Sequence, residues 1–350
     1  TVAGVVNANF ADISLNGGGT HDGTLNAGST LTLAGGTHTF NVGSTVGGTG
    51  TLVHNLVGTT DFSLSNGLGS TLNLSILNGT VSLGTTTPTI ASVNINGVNA
   101  VLSTGAAVAV SNTLDLREGA LTLGGDMTVT GLTTWNAPTT NVVAQDVTIG
   151  GTGTLFANGG FSTGIFLEND TLNINTPLVI AGNSNWQTHT NGIVTIAGSS
   201  TMTNNGIIDA QNAIIFAINT PFTNNGTLTK SAGAGALVFN GVFDNTVAGV
   251  VNANFADVSL NGGGTHDGTV NAGSTLTLAG GTHTFNAGST VGGTGTLVHN
   301  LVGTTDFSLS NGLGSTLYLS ILNGTVSLGT TTPTIASVNI NGVNAVLSTG

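Results

Sequence analysis

Hydrophobic and polar positions alternate in short runs along most of this 350-residue chain. Thr30-Leu31-Thr32-Leu33, Asp61-Phe62-Ser63-Leu64, Thr71-Leu72-Asn73-Leu74, Thr113-Leu114-Asp115-Leu116, Asp126-Met127-Thr128-Val129 and Thr171-Leu172-Asn173-Ile174 all put an apolar side chain at every second position. A period of two sends Leu, Ile, Val and Phe to one face of a strand and Thr, Ser and Asn to the other. The runs are short and end at Asn-Gly, Gly-Gly or Ala-Gly, residues that accept the backbone angles of tight turns. Thr and Val suit a pleated surface. The one stretch with a helix-like look, 207–218, is rich in Ile and Phe and flanked by Asn-Gly and Thr-Pro, which predicts two strands there.

The runs recur. Residues 1–105 return at 246–350, and only Ile13/Val258, Leu25/Val270, Val42/Ala287 and Asn73/Tyr318 differ. The first three are hydrophobic trims of the kind a core tolerates. The sequence unit is therefore 245 residues (1–245), with 246–350 repeating 1–105. The chain opens without Met and stops part-way through the second copy, which reads as an excerpt of a longer array. A finer period lies inside the unit. Thr203-Asn204-Asn205-Gly206 returns as Thr223-Asn224-Asn225-Gly226, and Phe222 is followed by Phe243. A period of about 20 residues is one coil of a solenoid, and at that pitch the chain makes about 17 coils.

These patterns predict one continuous all-β solenoid over 1–350, a right-handed parallel β-helix by the crossover rule. A sandwich wants a closed set of about seven strands, and a propeller wants blades of about 40–50 residues. Asn residues at the turns are placed to stack into ladders of side-chain amide bonds.

Charge narrows the partners. Two cations, Arg117 and Lys230, face 14 carboxylates, giving a net charge of −12. A polyphosphate would be repelled, so nucleic acid is not an expected partner. No run of about 20 apolar residues is present to span a membrane as a helix. Glycine occupies 56 positions without a Gly-X-Y period, which excludes collagen. The absence of cysteine fits a secreted bacterial protein.

Runs such as Thr223-Asn224-Asn225-Gly226-Thr227-Leu228-Thr229, Asn78-Gly79-Thr80-Val81-Ser82-Leu83-Gly84 and Gly119-Ala120-Leu121-Thr122-Leu123-Gly124-Gly125 resemble those of bacterial β-strand-repeat surface proteins. They are similar to filamentous-haemagglutinin-type adhesins and autotransporter passenger β-helices. The resemblance implies export to the cell surface and a role in adhesion or matrix building. The expected function is a structural or adhesive module, a long protease-resistant stalk or filament that associates with itself end to end or laterally. The alternatives are a glycan-binding β-helix module and a polysaccharide-degrading β-helix enzyme.

Candidate chemistry is sparse, and the chain is not expected to be an enzyme or to hold a cofactor. Acidic residues are scattered, and the one charged cluster, Asp115-Leu116-Arg117-Glu118, reads as an exposed ion pair. Glu168 and Asp170 form an oxygen-rich turn, the one weak candidate for a cation. His21 and His38 lie 17 residues apart and recur as His266 and His283, a spacing that could bring them together on successive coils; His38 shares the parity of Phe40 and is expected to be partly buried. Trp135, Trp186 and Tyr318 are candidate sugar-stacking contacts, provided they are exposed. Tyr318 replaces Asn73 and so is expected to face outward.

Overall fold

The computed structural model describes residues 4–63, 65, 67–136, 146–164, 169–187, 192–308, 310–330 and 333–349. Every regular element among them is a β-strand, and the chain forms a β-solenoid of about 15 turns with parallel coils about 21 residues apart. It divides into two compact units, Thr1–Ser162 with Thr171–Val179, and Thr163–Asp170 with Ile180–Gly350.

The second unit shows the coil in its simplest form. From Asn183 to Gly292 each turn contributes three short strands, and each strand pairs in parallel with the one three places on. Ile207–Ala210 lies against Thr227–Lys230, Phe216–Ile218 against Leu237–Phe239, and Phe222–Asn224 against Phe243–Asn245. The stretch 207–218 is accordingly two strands, as the composition predicts. Because every coil repeats the same three directions, side chains of one parity stack in columns through the interior. One column runs Ile218, Phe239, Leu260, Leu278, His299 and Ile321.

In the first unit the corners are smoother. Thr51–Asp61, Asn73–Ser82, Thr89–Thr104 and Val108–Leu123 run through a corner as single strands broken by register shifts. The tight corner needs glycine. Gly79 has φ +69°, and a Cβ there would collide with the carbonyl oxygens of Leu56 and Gly58 on the coil below.

The alternation predicted from sequence is seen directly. Thr30–Leu33 and Thr171–Ile174 bury every second residue. Coil length is less regular than the 20-residue period suggests. Leu121 faces Ile149, 28 residues on, and Asn183 faces Ile207, 24 on, whereas Val250 faces Thr269 after 19. Longer coils are why the chain makes about 15 turns rather than about 17. One of the three hydrophobic differences between the copies is not a core trim: Val42 and Ala287 both lie at exposed turns.

The duplication places one sequence in two settings. Val93 and Ile95 are 1% exposed, covered by Leu114 and Leu116 of the next coil. Their counterparts Val338 and Ile340 pair with Leu319 and Ile321 on one side and are 41% and 50% exposed. One covering coil therefore accounts for the burial of both side chains, as expected when stability is a sum of coil and interface contributions.

Candidate functional site

Three places gather polar side chains, two inside the solenoid and one on its outer face.

The first is a column of buried histidines in the second unit. His266 and His283 are fully buried, and His266 Nε2 lies 3.0 Å from His283 Nδ1. His283 Nε2 lies 3.2 Å from the Leu260 carbonyl oxygen, which can only accept. His283 must therefore carry its proton on Nε2 and accept at Nδ1. That places the His266 proton on Nε2 as well, leaving its buried Nδ1 a bare lone pair with no partner among the described residues. His299 takes the opposite tautomer: Nδ1 donates to the Asn323 carbonyl at 2.7 Å, and Nε2 accepts from Thr305 Oγ1 at 3.0 Å. Rings complete the column, with His266 stacked on Phe285 at 4.5 Å and Phe285 against Phe307 at 4.6 Å. Burial, with His283 adding to it, pushes the His266 imidazole down to about 3; burial likewise pushes His283 down to about 4, against the pull of carbonyls at Leu260 and Gly280. The first copy repeats the pair, His21 Nε2 to His38 Nδ1 at 2.9 Å, and His38 is buried beside Phe40 as its parity predicts.

Below His266 the same strand position is held by amides. Asn204, Asn224 and Asn245 are buried; Asn204 Nδ2 donates to Asn224 Oδ1 and Asn224 Nδ2 to Asn245 Oδ1, both at 2.8 Å, and Asn245 Nδ2 ends the ladder on the Gly249 and Thr269 carbonyls. Asn245 then stands in register with His266. A second ladder, Asn219, Asn240 and Asn261, runs along the exposed side with the same 2.8 Å spacing.

Lys230 is the second interior feature, and its place is not anticipated by reading it simply as one of two cations. It is fully buried in a column whose neighbours Ala210 and Ala253 leave it room. Its Nζ donates to the carbonyls of Asn212, Ala232 and Gly233, and sits 6.0 Å from the Phe255 ring centre. Burial pushes the ammonium down to about 8, against the pull of Asp209. The signal was present in Thr227-Leu228-Thr229-Lys230, where lysine has the parity of the buried leucine.

The third place is a groove of about 360 Å³ on the outer face of the first unit. Two outward columns line it: Thr51, Asn73, Ser92 and Thr113, and beside them Ser75, Asn94 and Asp115. Asp115 is held by Arg117 Nε and Thr134 Oγ1, each at 2.7 Å. The ion pair is thus partly exposed, as expected from the two-residue spacing.

The other sequence candidates fall as follows. Glu168 lies outside the described residues. Asp170 is buried rather than presented on an open turn. Among the described residues, no three His, Asp or Glu side chains gather where they could hold a metal ion. Trp135 and Trp186 are corrections to the stacking expectation. Both are fully buried, Trp135 in register with Leu116 and Trp186 stacked on Phe216 at 5.2 Å, because their parity matches the core columns. Tyr318 does face outward, at 48% exposed. Among the described residues no helix is long and apolar enough to cross a membrane.

No protein-family model, curated protein or solved structure matches the chain.

Proposed function

We propose that this protein is a structural or adhesive module of a large extracellular, fibre-forming repeat protein of bacterial type, working as a protease-resistant stalk. The observation that carries the reading is the coil-to-coil register. Each strand's backbone groups pair with the coil before and the coil after, so length grows by adding coils without a larger core. The near-identical second copy supports it, since a duplicated unit reproduces the side-chain columns of the first. The buried Asn ladder adds amide bonds along the stacking direction. In this reading the module acts at the cell surface, and its partners are further copies of itself, joined end to end or laterally, and surface glycans.

Digestion with proteinase K tests the proposal. A stalk exposes little unpaired backbone, so the native chain should persist over hours at protease concentrations that degrade its urea-unfolded form within minutes. Diffraction from aligned material should show an axial spacing of about 4.8 Å. Rapid fragmentation of the native chain would remove the stalk reading even if the axial spacing were present.

A further inference from the structure

Four positions separate the two copies, and one of them changes the chemistry of the outer face. Asn73 lines the first-unit groove; its counterpart, Tyr318, puts a half-exposed phenol ring between Thr296 and Ser337 in the matching columns of the second unit. We propose that this outer face, with Tyr318 as its platform, binds a neutral oligosaccharide chain.

The chemistry of the face selects that partner. In the groove, the hydroxyls of Thr51, Ser75, Ser92 and Thr113 point outward on successive coils, about 4.8 Å apart along the stack. Hydroxyls both donate and accept, which matches a ligand made largely of hydroxyls. The second unit keeps the pattern as Thr296, Ser320, Ser337 and Asn339 around Tyr318. Asp115, the one charged residue lining the first groove, is paired with Arg117 at 2.7 Å, so the lining itself does not call for a charged ligand. An extended peptide would need free backbone groups to add as a strand, and here the backbone pairs coil to coil. An aromatic face offers what the hydroxyls lack, an apolar surface on which the C–H face of a sugar ring packs while its hydroxyls reach the side chains alongside.

The molecule supplies its own control. Tyr318→Asn installs the residue that already folds at position 73, and Asn73→Tyr installs the one that folds at 318. Tyr318 is also the single tyrosine of the chain, so its ultraviolet difference spectrum reports on this site alone. The probes are neutral hexasaccharides of β-1,4-linked glucose, β-1,4-linked N-acetylglucosamine and α-1,4-linked glucose, titrated by calorimetry into the full chain. At least one should bind and perturb the tyrosine spectrum. Tyr318→Asn should weaken binding about tenfold, and Asn73→Tyr should add a second site. Circular dichroism checks that both variants keep the fold. No binding of any probe, or equal binding by the Tyr318→Asn variant, overturns the proposal and leaves the stalk reading standing.

Discussion

Acid should loosen the second copy at its buried histidine pair. In the folded chain His266 and His283 stay neutral down to about 3 and about 4, because protonating either places a charge among Phe243, Phe285 and Leu260. Once the coil opens, both return to the ordinary imidazole value of 6.5. The opened state therefore binds protons first as pH falls. The stabilisation is whole above about 6.5 and is lost progressively as pH drops toward 4 and then 3. At pH 5 each imidazole has passed its open-state value by about 1.5 units, or about 2 kcal/mol at 1.36 kcal/mol per unit, a factor of about 30 in local opening. The pair acting together gives up to about a thousandfold. His299, in the neighbouring column beside Leu278, couples to His283 and has its own pKa lowered by burial, so it acts in the same direction. Asp257, raised by burial, acts oppositely. Hydrogen exchange read by mass spectrometry resolves the two copies, because Val270 and Ala287 give second-copy peptides a different mass from those carrying Leu25 and Val42. After correction for intrinsic exchange rates, peptides covering the 264–285 segment should lose protection between pH 7 and pH 5. Protection in the second copy that does not change across this range would refute the buried-neutral assignment.

Two further outcomes follow from paired positions. Ile95→Ala removes a side chain enclosed between Ile76 and Leu116 and should cost about 3 kcal/mol. Local exchange in the mass-tagged variant peptide measures it, and a cost below about 1 kcal/mol would mean that the neighbouring coils are not what buries Ile95. Asn224→Ala strips a partner from each of two buried amides and should destabilise by about 2–4 kcal/mol, whereas Asn225→Ala on the exposed side should fall within about 0.5–1 kcal/mol. Urea midpoints compare them, and similar midpoints would show that the buried ladder is not a source of stability.

Much of the fold could be read from parity alone. Thr30-Leu31-Thr32-Leu33 states which side chains face inward, and the structure buries those and no others in that run. The same rule, applied without regard to residue type, places Trp135, Trp186 and Lys230 inside. The sugar-stacking expectation for Trp135 and Trp186 followed residue type rather than parity, although a lone tryptophan at a leucine position is first a core residue. Lysine goes inside because a column of alanines gives it space and three carbonyls receive its protons, neither of which a single strand's sequence displays.

What parity cannot give is which residue stacks on which, since that depends on the length of each coil. The 17-residue spacing of His266 and His283 suggested proximity, yet the coil there is 19 residues long, so Gly264 faces His283 and His266 faces Phe285. The imidazoles meet on the diagonal, Nε2 to Nδ1, and it is this offset that leaves room for His283 to reach back to Leu260. The tautomers and the bare Nδ1 follow from that contact and from the Leu260 carbonyl, and the acid sensitivity follows from burial. An outward position such as 73 or 318 has its neighbours above and below in the column and its side chain toward solvent, so the coil accommodates Asn in one copy and Tyr in the other, and the difference is available to a ligand.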